Sequence, residues 1–170
     1  MPLLAPAVGF GSFICTSSEL AMRILLAVDG SRYSADVMDA VLSRFWPEAG
    51  IVRVLSAVEP EQIIDSGGPD FATRQSPTKA TEDLVDWVAD SLSSHGFQAE
   101  TVVKPGDPRE VIVNEAANWP ADLILVGAYG HSGVRNWQIG SVAESVAKHA
   151  RCSVEVVRKQ RTVTPDLQDK

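Results

Sequence analysis

Residues 126–141 read VGAYGHSGVRNWQIGS, which puts glycines at 127, 130, 133 and 140 just ahead of a serine. Glycine has no side chain, so such a loop lets a ligand approach its backbone N–H groups closely. Ser141 and Glu144 have the S-x-x-E spacing of a capping box, which predicts a helix beginning at that serine. A helix amino terminus presents unpaired N–H donors and about half a positive charge. Loop and helix start together make an anion cradle that needs no lysine. The second candidate is Asp29, at the close of RILLAVDG. Placed across a crevice from the glycine loop, its carboxylate can accept hydrogen bonds from ribose hydroxyls. Asp29-Gly30-Ser31 is equally compatible with a plain turn.

Other chemistries fit less well. A P-loop needs Gly-Lys followed by Ser or Thr, and Gly-Lys occurs nowhere in the 170 residues. A nucleophile elbow needs G-x-S-x-G, but Gly133 follows Ser132 directly and Val134 stands where the second glycine should be. His131 is placed either to touch a terminal phosphate or a metal, or to be solvated. His95 and His149 lie toward helix ends, where a cation complements the helix dipole. Trp46, Trp87 and Trp119 fall on apolar helical faces and are expected in the core. Cys15 and Cys152 show neither CxxC nor zinc-ligand spacing, which suits two unpaired thiols in a reducing, cytoplasmic setting. With 15 Lys+Arg against 22 Asp+Glu the net charge is −7, so no basic field favours nucleic acid or an anionic membrane. Any anion must be bound locally.

The elements that must position these residues alternate along the chain. RILLAVDG reads as a buried strand, and Val37, Val41, Leu42 and Phe45 then share a helical face. IVRVLSAV repeats the strand signal. After a polar loop containing Gly67 and Gly68, a helix follows with Ala80, Leu84, Trp87, Val88 and Leu92 inward, stopped by Gly96. FQAETVVK alternates weakly. Asp107, Pro108 and Glu110 supply a cap, a first-turn proline and an acid three residues beyond the cap, opening a helix with Val111, Ile112, Ala116 and Trp119 inward. ADLILVGA, SVAESVAKHA and SVEVVR complete a strand, a helix and a strand. Such alternation predicts an α/β protein with a parallel sheet covered on both faces, whose ligand binds beyond the carboxyl ends of the strands. Residues 1–21 lack the charged start and cleavage site of a secretory signal and are expected to be a poorly ordered extension; 22–158 form the domain and 159–170 a polar tail.

At these residues the chain resembles the universal stress protein family. The spacing Gly127-x2-Gly130-x9-Gly140-Ser141 is similar to that family's nucleotide-binding signature, and ILLAVDGS, GDPREVI and GSVAESVAKHARCSVEVV agree in order, over about 22–158. The resemblance implies a Rossmann-like five-stranded parallel sheet of order 3-2-1-4-5 and, in members with this glycine pattern, ATP binding. Carried over, Asp29 contacts the ribose and Val58 supplies backbone to adenine. Gly127, Gly130, Gly140, Ser141 and Val142 supply the phosphate-binding backbone and hydroxyl. Trp137 departs from the aliphatic residue frequent in relatives. The expected function is regulatory binding of ATP, accompanied by Mg2+ or Mn2+, in a stress response. Two alternatives stand beside it: a slow ATPase or phosphotransfer enzyme with His131 or Ser132 near the γ-phosphate, and a nucleotide-free dimeric scaffold. The resemblance also implies a homodimer through the fifth strand, with Val154, Val156 and Val157 at its edge.

Overall fold

The computed structural model describes residues 21–31, 33–45, 47, 50–59, 77–130 and 138–158. Residues 1–20 and 159–170, together with Cys15, Trp46, Gly67, Gly68, His131, Ser132, Gly133 and Trp137, lie outside the described residues.

In chain order the elements are β1 (Met22–Ala27), α1 (Tyr33–Arg44), β2 (Gly50–Val58), α2 (Pro77–Ser94), β3 (Gln98–Pro105), α3 (Pro108–Asn118), β4 (Leu123–Gly127), α4 (Ser141–His149) and β5 (Ser153–Val157). All strand pairs are parallel and the order is β3-β2-β1-β4-β5, as the resemblance implied. Side chains alternate across each strand, so successive residues feed opposite faces. Ile24, Leu26 and Val28 pack with α1 and α2, whereas Leu25 and Ala27 pack with α3 and α4. Apolar residues on both faces explain why β1 and β4 read as unbroken hydrophobic runs. The order reverses between β1 and β4, and their carboxyl ends diverge into the loops that hold Asp29 and the glycines.

The α2 face differs from expectation. Val85, Val88, Ala89 and Leu92 are buried and Leu84 is partly so, while Ala80 is exposed and Trp87 is 54% exposed. At about 100° per residue, Trp87 lies roughly 200° round the helix from Val85 and cannot share its stripe. Trp119 is half-buried at the end of α3, with the Arg53 guanidinium 4.4 Å from its ring centre.

That arginine belongs to a charged cluster with no local sequence signal. Glu115 on α3 is buried, and it accepts hydrogen bonds from Arg53 of β2 at 2.6 Å and from Lys104 of β3. Arg53 also donates to Glu100 at 2.9 Å. Burial pushes the Glu115 carboxyl up, but the bonds from Lys104 and Arg53 outweigh it and hold the pKa below the ordinary value of 4.5. A depressed folded pKa means stability that is present above the unfolded value and lost as pH falls through the folded one. Glu115→Gln should therefore cost about 1.5–3 kcal/mol at neutral pH, toward the lower end because Lys104 is solvated. Urea unfolding at pH 7 and pH 3 checks this: the gap between variant and wild type should narrow at the lower pH.

Candidate functional site

The loop after β1 turns at once. Gly30 adopts φ +75, a conformation that favours glycine, and Asp29 Oδ1 accepts from the Ser31 N–H at 3.0 Å. Asp29 is thus a turn residue, but its carboxylate also lines a cavity. The buried Ser34 hydroxyl donates to Oδ1 at 3.2 Å and accepts from the Asp29 N–H at 3.2 Å, so side chain and backbone are held together. The other oxygen, Oδ2, stands over Gly130: a Cβ at residue 130 would lie 2.7 Å from it. Asp29 and the glycine loop therefore meet across the β1–β4 crevice.

Behind them the glycine loop is stitched between two elements. The Ala128 N–H donates to Val157 at 2.8 Å, and the Ala128 carbonyl accepts from the Gly140 N–H at 2.8 Å. A Cβ on Gly140 would come within 3.3 Å of that carbonyl, so a glycine at 140 permits the close approach. The capping box does not form. Gly140 is the N-cap residue, Ser141 is the first helical residue, and among the described residues the helix start has no side-chain cap. Glu144 instead accepts from Lys148 one turn on at 2.7 Å. The N–H of Glu144 donates to the Gly140 carbonyl, so the helical ladder starts there. Ser141, Val142 and Ala143 precede it and line the cavity. By contrast, α3 starts at the same sheet edge with its end closed: Asp107 accepts from the Arg109 N–H at 2.8 Å, with Pro108 in the first turn. The Arg109 guanidinium also bonds Asp107 and holds its carboxyl below the usual range.

The cavity encloses about 810 Å³. Asp29, Gly127, Gly130, Gly140, Ser141 and Val142 line it. Val58 stands slightly apart: its side chain is buried and its carbonyl accepts from the Gly106 N–H at 3.0 Å, while Ala57 and Glu59 on either side face the cavity. Among the lining residues that went unnoticed in the sequence are Tyr33, Ser34, Ser56 and Tyr129. Ser56 donates to the Val28 carbonyl at 2.7 Å and ties β2 to the end of β1. The rings of Tyr33 and Tyr129 are tilted against each other, centroids 5.5 Å apart. Among the described lining residues the charges are two carboxylates, Asp29 and Glu59, and no Lys, Arg or His. The start of α4 contributes positive backbone potential at the cavity.

A parallel sheet of order 3-2-1-4-5 with helices on both faces and a cavity at its switch point defines a Rossmann-like α/β protein. The universal stress protein family model matches residues 21–158, and the chain belongs to that family. It is 27% identical over 151 residues to the universal stress protein YxiE of Bacillus subtilis, spanning 80% of this chain and 98% of that one. The universal stress protein UspA from Lactobacillus plantarum has the same fold, with a TM-score of 0.67 at 22% identity over 81% of this chain and 97% of that one. So do a family member from Arabidopsis thaliana solved with AMP bound (TM-score 0.60, 19% identity, 85% and 97% covered) and one from Archaeoglobus fulgidus in complex with dAMP (0.58, 19%, 82% and 99%). Among the described residues, no helix is long and apolar enough to cross a membrane.

Proposed function

We propose that the chain binds an adenine nucleotide, ATP above all, in this cavity and acts as a nucleotide-responsive regulator in a stress response. The observation that carries this reading is the uncapped start of α4, whose first residues line a cavity with the Asp29 carboxylate opposite. Orphan N–H donors and a helix dipole suit phosphate, and a carboxylate set apart from them suits the ribose hydroxyls. Adenine is then left the β2 end, near the backbone at Val58 and its neighbours. The AMP and dAMP carried by family members of the same fold support this choice of ligand. Among the described residues no group of three or more His, Cys, Asp or Glu is arranged to hold a metal ion, so Mg2+ or Mn2+ would arrive on the phosphates. A cytoplasmic setting suits Cys152, a free thiol whose pKa burial pushes up.

Asp29→Ala removes a charge-assisted hydrogen bond to the ribose and should weaken ATP binding by about tenfold to a hundredfold. Titration calorimetry reads this directly, and an unchanged dissociation constant returns Asp29 to a purely structural turn.

The regulator is proposed to be a homodimer joined through β5. That strand ends the sheet, and Ser153 and Val157 make their backbone bonds toward β4. Alternation turns the N–H and C=O groups of Val154 and Val156 outward, to the free edge. Their side chains pack against the α3–α4 face, while Val157 is buried on the other face, so the pairing surface is this backbone row. Val156→Pro removes one outward donor and no intrasheet bond. Light scattering should find the wild type near twice 18.3 kDa and the variant near 18.3 kDa; a wild-type monomer or a fully dimeric variant would sink this interface.

A further inference from the structure

The first residues of α4 line the cavity, and the only charged side chains among its described lining residues are acidic, Asp29 and Glu59. A cation stands one ring away. Arg158 follows β5 directly, and its guanidinium carbon is 5.6 Å from the centre of the Tyr129 ring, itself a lining residue. Two bonds fix its root at the site. The carbonyl of the preceding residue, Val157, accepts from the Ala128 N–H, and the Ala128 carbonyl accepts from Gly140 at the start of α4. The buried Val157 side chain anchors the strand end, while Arg158 itself is exposed. Three other arginines on the sheet and its helices are paired with carboxylates: Arg44 with Glu155, Arg53 with Glu100 and Glu115, Arg109 with Asp107. Among the described residues, Arg158 makes its contact with Tyr129 and has no carboxylate partner.

We propose that Arg158 is the polyphosphate-binding cation of this site: it leaves the face of Tyr129 to pair with the β- and γ-phosphates of a nucleoside triphosphate whose α-phosphate sits at the start of α4. The proposal rests on the nucleotide reading above and extends it to a choice between ligands. An exposed cation–π contact is weaker than a charge-assisted, bidentate bond from guanidinium to phosphate, so a triphosphate can draw the side chain away. A monophosphate places its charge at the helix start and leaves Arg158 on its ring. Arg158 would then set the preference for ATP over AMP, through a group outside the glycine signature.

The test is titration calorimetry of ATP and AMP, each with Mg2+, against the wild type, Arg158→Gln and Arg158→Lys. Arg158→Gln should weaken ATP by about tenfold or more and AMP by less than about twofold. Arg158→Lys should fall between, since it keeps the charge and loses the fork. ATP binding unchanged in Arg158→Gln overturns the proposal. An equal loss for ATP and AMP also overturns it, because Arg158 would then merely support Tyr129. A wild type that binds neither ligand fails at the earlier step and removes the nucleotide reading itself.

Discussion

Gly130→Val should lower adenine-nucleotide affinity by more than about a hundredfold while the circular dichroism spectrum stays that of the wild type. The first added carbon would stand 2.7 Å from Asp29 Oδ2, closer than two such atoms can settle. The carboxylate cannot yield without cost, because Ser31 and Ser34 hold its other oxygen. Either Asp29 swings out of the place proposed for the ribose or the loop lifts from the start of α4, and both would damage the proposed site. The fold should survive, since Gly130 lies in a loop beyond the end of β4. A double-mutant cycle separates the two routes: in an Asp29→Ala background the valine should do less harm, because the clashing carboxylate is gone. Wild-type affinity in Gly130→Val would contradict the Asp29–Gly130 juxtaposition.

Leu125→Ala should produce the largest loss of stability. Leu125 is fully buried in β4, opposite Leu26 of β1, and packs into the core under α1 and α2. Such truncations cost about 2–5 kcal/mol from lost transfer energy and the cavity left behind. For a chain of 170 residues that is a drop of roughly 5–15 °C in Tm. Differential scanning calorimetry measures it, and a shift below about 2 °C would mean that the β1–β4 junction is far looser than described.

Most strands and helices were legible because their residues follow one period: β1 from Ile24 onward and β4 are apolar, and α3 opens on Asp107-Pro108. The strand order came with the family resemblance, since alternation alone leaves the order of a parallel sheet open. The side-chain details that depended on distant neighbours were not legible. Trp87 looked apolar and inward, but the stripe set by Val85 and Ala89 leaves it in solvent. Ser141 had the spacing of a cap, yet Gly140, bonded to Ala128, takes the cap position, Ser141 is the first helical residue, and Glu144 pairs with Lys148 instead. That displacement is what leaves the end of α4 open toward the cavity. Glu115 gave no hint of burial because its partners, Arg53 and Lys104, come from strands 62 and 11 residues away. Ser34 escaped notice because its two bonds to Asp29 exist only once α1 has folded back over the turn.

The central claim is that the open start of α4, the glycine loop and Asp29 together hold an adenine nucleotide. Titration calorimetry of the full chain with AMP, ADP and ATP, each with and without Mg2+, tests it most directly. The account predicts saturable binding of one adenine nucleotide per chain, lost on Gly130→Val. Absence of binding by all three ligands at concentrations up to about 1 mM, from a chain whose circular dichroism shows it folded, would contradict it.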